Sequence, residues 1–121
     1  LNPIFLSSPG NSEEKLSHLE EVASNLDLPI AIRDLALLYG FYISKSDFDS
    51  KMDTLNALSG PDRPYRLLAI EAKIDLFLSK ELLRDALEEV NQIEPNLSAS
   101  SGMNSRIMNL KKIIQDKIAS N

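Results

Sequence analysis

The stretch DLALLYGFYI, residues 34–43, is apolar almost all the way round, carries two tyrosines and has a glycine near its middle. Three structures fit such a run: a membrane span, the mouth of a ligand site, or a helix packed on more than one side. Length removes the first, because Arg33 and Asp34 precede the run and Lys45 follows it. That leaves about nine apolar residues, where a span needs about 20. A surface helix needs a single apolar stripe, whereas a helix between two neighbours must be apolar on both sides. Residues 34–43 therefore read as a central core helix, and Tyr65–Leu78 has the same character one repeat later. Gly40 costs about 1 kcal/mol against Ala inside a helix, so its presence predicts close approach of an adjacent helix.

Outward from this stretch, apolar residues recur at helical spacing. Leu16, Leu19, Val22, Ala23 and Leu26 form one stripe, and Phe48, Met52, Leu55 and Leu58 another. Leu83, Ala86, Leu87, Val90 and Ile93 lie opposite Arg84, Asp85, Glu88, Glu89 and Gln92, which describes a surface helix with one buried face. Ile107, Leu110, Ile114 and Ile118 repeat the pattern. No run alternates with period two, so strands are not expected.

Pro and Gly punctuate the chain at SSPGNS (7–12), Pro29, SGPDRP (59–64), Pro95 and SASSG (98–102). Ser12, Ser46 and Asp62 precede helical pieces, and acidic residues follow Ser12 and Ser46. A cap oxygen there accepts an otherwise unpaired N–H, and first-turn carboxylates suit the helix dipole. Helices are thus expected near 12–25, 30–44, 47–58, 63–79, 81–94 and 102–119. Short connections make sequential helices antiparallel.

With 121 residues, 43% of them hydrophobic, the chain can bury one modest core. A net charge of −5 argues against nucleic acid, whose binding rests on clustered Lys and Arg. The absence of Cys leaves the compartment open. The chain starts at Leu1 rather than Met, which is read as a processed or excised piece with a segment missing upstream.

IRDLALLYGF from Ile32 can be laid over YRLLAIEAKI from Tyr65, matching Arg33 with Arg66, Leu35 with Leu68 and Ala36 with Ala69. Phe48, Met52, Leu55 and Leu58 then fall over Leu83, Leu87, Val90 and Ile93. A third start, RIMNLKKI from Arg106, has no partner helix after it, as a closing helix should. The period of about 33 to 35 residues with two helices per unit is the tetratricopeptide spacing. The expected fold is an all-α, TPR-like superhelix of antiparallel helix pairs. It forms a single domain over 1–121, with an N-terminal extension (1–11), helix pairs at 12–58 and 63–94, and a closing helix at 102–119.

The segments LPIAIRDLALLYGF (28–41), LSGPDRPYRLLAIEAKI (58–74), LRDALEEV (83–90) and SGMNSRIMNLKKII (101–114) appear as successive landmarks. Together they resemble the C-terminal half of the YfgM-like tetratricopeptide-like proteins, in particular the alphaproteobacterial branch, over about residues 12–118. The resemblance implies a helical-repeat domain on the periplasmic side of the bacterial inner membrane, anchored by one N-terminal membrane helix absent from this sequence. It also implies association with the SecYEG translocon and periplasmic chaperones. The sequence departs from the family where SKE (79–81) stands in place of the usual Gly-Asp, and where Phe5–Ser8 is too short for a preceding helix.

Candidate chemistry is sparse. His18 stands alone on a charged helix without Cys or a second His, and zinc generally takes three or four protein ligands. Glu13, Glu88 and Asp85 lie on polar faces and form no acid–base constellation. SGPDRP lacks the Gly-rich Lys-Ser/Thr pattern that cradles phosphate and reads as a turn. No catalytic residue, metal ligand or cofactor is therefore assigned.

Arg33, Arg66 and Arg106 hold equivalent places at helix beginnings. Such an arginine can bridge to preceding carbonyls or pair with a carboxylate such as Asp34, fixing one repeat on the next. Structural roles fall to Arg33, Asp34, Gly40, Arg106 and the small residues Ala36, Ala69 and Ala86. Tyr39, Tyr42, Tyr65, Arg66 and Lys73 are the candidate partner contacts, in a groove formed by helices 30–44 and 63–79, since Tyr and Arg are favoured binding anchors. The expected function is a non-enzymatic scaffold for translocon subunits, chaperones or client segments. The alternatives are a structural or self-assembly domain, possible as a homodimer, and a secreted effector binding a host protein. A cytoplasmic location stays open with them.

Overall fold

A computed structural model describes residues 12–98 and 101–120; the N-terminal extension and the comparison at Phe5–Ser8 lie outside them. The described chain is all-α. Its helices are α1 (Ser12–Ser24), α2 (Ile30–Ile43), α3 (Phe48–Leu58), α4 (Arg66–Ser79), α5 (Leu83–Ile93) and α6 (Gly102–Ser120), with a 3-10 turn at Glu94–Asn96 after α5. No strand occurs among the described residues. The helix-pair packing is consistent with a TPR-like arrangement. The chain divides into two compact units between Arg66 and Leu67.

In the first unit α2 packs against both α1 and α3. Its buried residues are Asp34, Ala36, Leu38 and Gly40. At 100° per residue, Asp34 and Leu38 share one side while Ala36 and Gly40 lie nearly opposite, which is the two-sided burial that its composition requires. Gly40 faces α1: a Cβ there would sit 3.4 Å from Leu16 Cδ1. Leu19 of α1 and Leu55 and Leu58 of α3 complete the interior.

Leu26 departs from its expected place on the α1 stripe and is 81% exposed. The helix ends at Ser24, and the chain then turns, with Asn25 N–H donating to Val22 O and Asp27 N–H to Asn25 Oδ1. Helical periodicity no longer applies two residues beyond the end. The cap of α3 is also one residue later than expected. Asp47, not Ser46, accepts the Ser50 N–H at 2.9 Å. That backbone hydrogen bond is the main cause that lowers the Asp47 pKa from its ordinary value.

In the second unit Ile70 and Ile74 of α4, Ala86, Val90 and Ile93 of α5, and Ile107 and Ile114 of α6 form one buried cluster. Leu83, Leu87, Leu110 and Ile118 pack around it, so both amphipathic stripes face the core as their spacing predicts. α4 ends in a Schellman motif: Leu82 N–H donates to Phe77 O at 2.9 Å and Glu81 N–H to Leu78 O at 3.0 Å. Glu81 takes the left-handed position with φ 57°, where a side chain is strained by about 1–2 kcal/mol. This residue closes the SKE turn, residues 79–81. Glu81→Gly is expected to stabilise the second unit by about 1 kcal/mol. An unchanged or lower urea midpoint in the helical circular dichroism signal would count against it.

Candidate functional site

Asp34 is 1% exposed on a helix whose only other charged residue is Arg33, and a buried carboxylate needs a partner. The sequence offers Arg33 beside it. The structure supplies Arg63 instead, with Nε donating to Oδ2 at 2.7 Å and Nη2 to Oδ1 at 2.6 Å, a two-pronged match of guanidinium to carboxylate. Hydrogen bonding to Asp34 raises the Arg63 pKa; partial burial opposes this and the Asp34 charge adds to it. Two residues on, the Tyr65 hydroxyl donates to Ala31 O at 3.0 Å. These contacts tie residues 63–65 to the first turn of α2, and α4 starts at Arg66 rather than at 63. SGPDRPY is thus a turn with a clamp inside it.

The three arginines matched by sequence part company: Arg33 is the fourth residue of α2, Arg66 the first of α4 and Arg106 the fifth of α6. Arg33 Nε donates to Leu28 O at 3.0 Å, in the turn that precedes its own helix. Arg106 forms a two-pronged pair with Glu71 of α4 at 2.7 and 3.0 Å. Glu71 lies five residues after Arg66, and the residue five after Arg33 is Leu38, so α2 presents no carboxylate at the matching place. Arg66 carries no ion pair among the described residues.

Of the other residues singled out from sequence, Ala36, Ala69 and Ala86 are buried, and Tyr39 is half-buried. Tyr42 is 62% exposed, its ring meeting Phe41 edge-on with centroids 5.0 Å apart. Lys73 lies on the second unit with its ammonium 2.8 Å from Glu89 Oε1, the two side chains only 12% and 14% exposed. Glu89 Oε2 is buried without a hydrogen-bond partner among the described residues. A further bridge joins Lys111 of α6 to Glu94 at 2.8 Å. The acidic partners Glu71, Glu89 and Glu94 went unassigned from sequence, as did Arg63. The readable signal was Asp34 itself, a charge inside an apolar helix.

The first unit also carries an open cleft of about 190 Å³ among α1, α2 and α3. Leu16, Leu19, Ala36, Leu37, Gly40 and Phe41 make its apolar wall, and Glu20, Ser44, Ser46, Lys51 and Thr54 its polar rim. The Lys51 ammonium stands 5.7 Å from the Phe41 ring centroid, within cation–π range. Among the described residues no group of three His, Cys, Asp or Glu is placed to hold a metal ion. No described helix is long and apolar enough to cross a membrane.

Compared with known proteins, the chain matches no family model, no curated protein and no solved structure.

Proposed function

We propose that this chain is a protein-interaction domain of helix pairs. In this reading it acts as a scaffold on the periplasmic side of the bacterial inner membrane, engaging translocon subunits, chaperones or client segments, as its resemblance to the YfgM-like proteins implies. The observation that carries the proposal is Tyr42, an aromatic ring left 62% exposed at the end of a core helix and propped by Phe41. Exposed aromatic residues anchor interfaces because they bury much area at little conformational cost. Leu26, Ile30 and Ile32 of the same unit are also exposed, adding apolar surface.

The test is affinity purification of the membrane-anchored protein carrying Tyr42→Ala together with Arg66→Ala. Partner recovery is expected to fall several-fold while the tyrosine fluorescence unfolding midpoint stays near that of the parent. Undiminished recovery of every partner would remove these residues from the interface. In the rival reading a second copy covers the exposed apolar residues, and scattering mass then rises with concentration and is reset by Leu26→Asp.

A further inference from the structure

The cleft of the first unit has polar residues at both ends, Glu20 at one and Ser44, Ser46 and Lys51 at the other, with an apolar wall between them. The short turn at residues 25–29 makes α1 and α2 antiparallel, and Gly40 lies opposite Leu16. Glu20, one turn on from Leu16, therefore lies toward Ala36, and Ser44 lies one turn the other way. At 1.5 Å per residue these two levels are about 12 Å apart along the helix axis.

Hydrogen-bond donors gather at the Ser44 end. The Ser44 and Ser46 hydroxyls bond to each other, which uses one hydroxyl hydrogen and leaves the second to donate outward. Thr54 donates to Ser50 O and adds no free proton. Lys51 pairs with no carboxylate among the described residues, although Asp47 lies one turn before it. The Asp47 carboxylate accepts the Ser50 N–H, and the Lys51 ammonium rests on Phe41 at the cleft. In a protein with 18 acidic and 13 basic residues, a lysine without a carboxylate, beside an apolar wall, is complementary to an anion with an aliphatic body.

We infer that this cleft binds an aliphatic monocarboxylate, with its carboxylate at Lys51 and the Ser44–Ser46 pair and its chain along Leu16, Leu37 and Gly40. The cleft's 190 Å³ corresponds to about six waters at roughly 30 Å³ each, a space that a chain of about six to eight carbons fills. Glu20 at the far end repels a second carboxylate, so a dicarboxylate of equal length is rejected. Tyr42 does not line the cleft, and the inference stands whether or not the partner proposal does.

Titrations with octanoate, octan-1-ol and octanedioate, followed by calorimetry and by amide shifts, test it. Octanoate is expected to bind about tenfold tighter than the alcohol or the diacid, with shifts centred on Leu16, Gly40, Phe41 and Ser44. Lys51→Met is expected to weaken octanoate about tenfold and leave octan-1-ol unchanged, and Lys51→Arg to restore most of the loss. Tyrosine fluorescence confirms that each variant is folded. Equal binding of acid and alcohol, octanoate affinity that survives Lys51→Met, or no saturable shift would each overturn the assignment.

Discussion

Arg63→Ala is expected to destabilise the first unit by about 3 kcal/mol, because it strands the Asp34 carboxylate inside α2. Removing one partner of a buried pair costs about 3–5 kcal/mol, and Arg63 at 30% exposed lets some water in, which favours the lower end. Asp34 itself is 1% exposed, so its two lost donors are replaced poorly. Asp34→Ala should cost less, since the freed guanidinium can swing into solvent. The double variant should cost less than the sum of the singles, the shortfall measuring the pair's coupling. The tyrosines Tyr39, Tyr42 and Tyr65 all lie in the first unit and there is no Trp, so tyrosine fluorescence in urea follows this unit alone. Additive single-variant effects would show that Asp34 and Arg63 act independently and that the clamp is incidental.

The clamp also shows where sequence reasoning stops. Periodicity located the helices because burial repeats every 3.6 residues, and the stripes on α5 and α6 meet in one core as their spacing requires. It reported faces and not partners. Asp34 and Arg63 are 29 residues apart, a separation with no local signature, and the proline on each side of Asp62–Arg63 reads only as a break. Helix ends failed for a related reason. Leu26 fits the α1 stripe by arithmetic, but the Asn25 turn ends the helix before it. Ser46 and Asp47 are both good caps, and only the Asp47 bond to Ser50 decides between them. The arginines matched by sequence diverge because Glu71 has Leu38 as its counterpart in that alignment. The cleft was invisible from the outset, since its wall is drawn from three helices and its polar end from the loop between two of them.

Lys73 poses the opposite problem, a residue whose type suggests a contact surface and whose position is occupied from within. Lys73→Met is expected to cost the second unit about 3 kcal/mol. The replacement keeps the length of the stem while leaving Glu89 charged, enclosed and without its cation. Glu89 has little slack, since Oε2 lacks a hydrogen-bond partner among the described residues and Oε1 depends on the Lys73 ammonium. Replacing both residues with apolar ones, Lys73→Met with Glu89→Met, should recover most of the loss, because two well-packed side chains of similar volume can match or exceed a buried pair. Helical circular dichroism must serve here, as the second unit contains no tyrosine. A single variant as stable as the parent would mean that water or another donor reaches Glu89 and that Lys73 is free for a partner. A large single effect rescued by the second change would instead assign Lys73 to the seating of α5 on α4. The interaction surface would then be sought on the first unit, where Tyr42 stands in solvent.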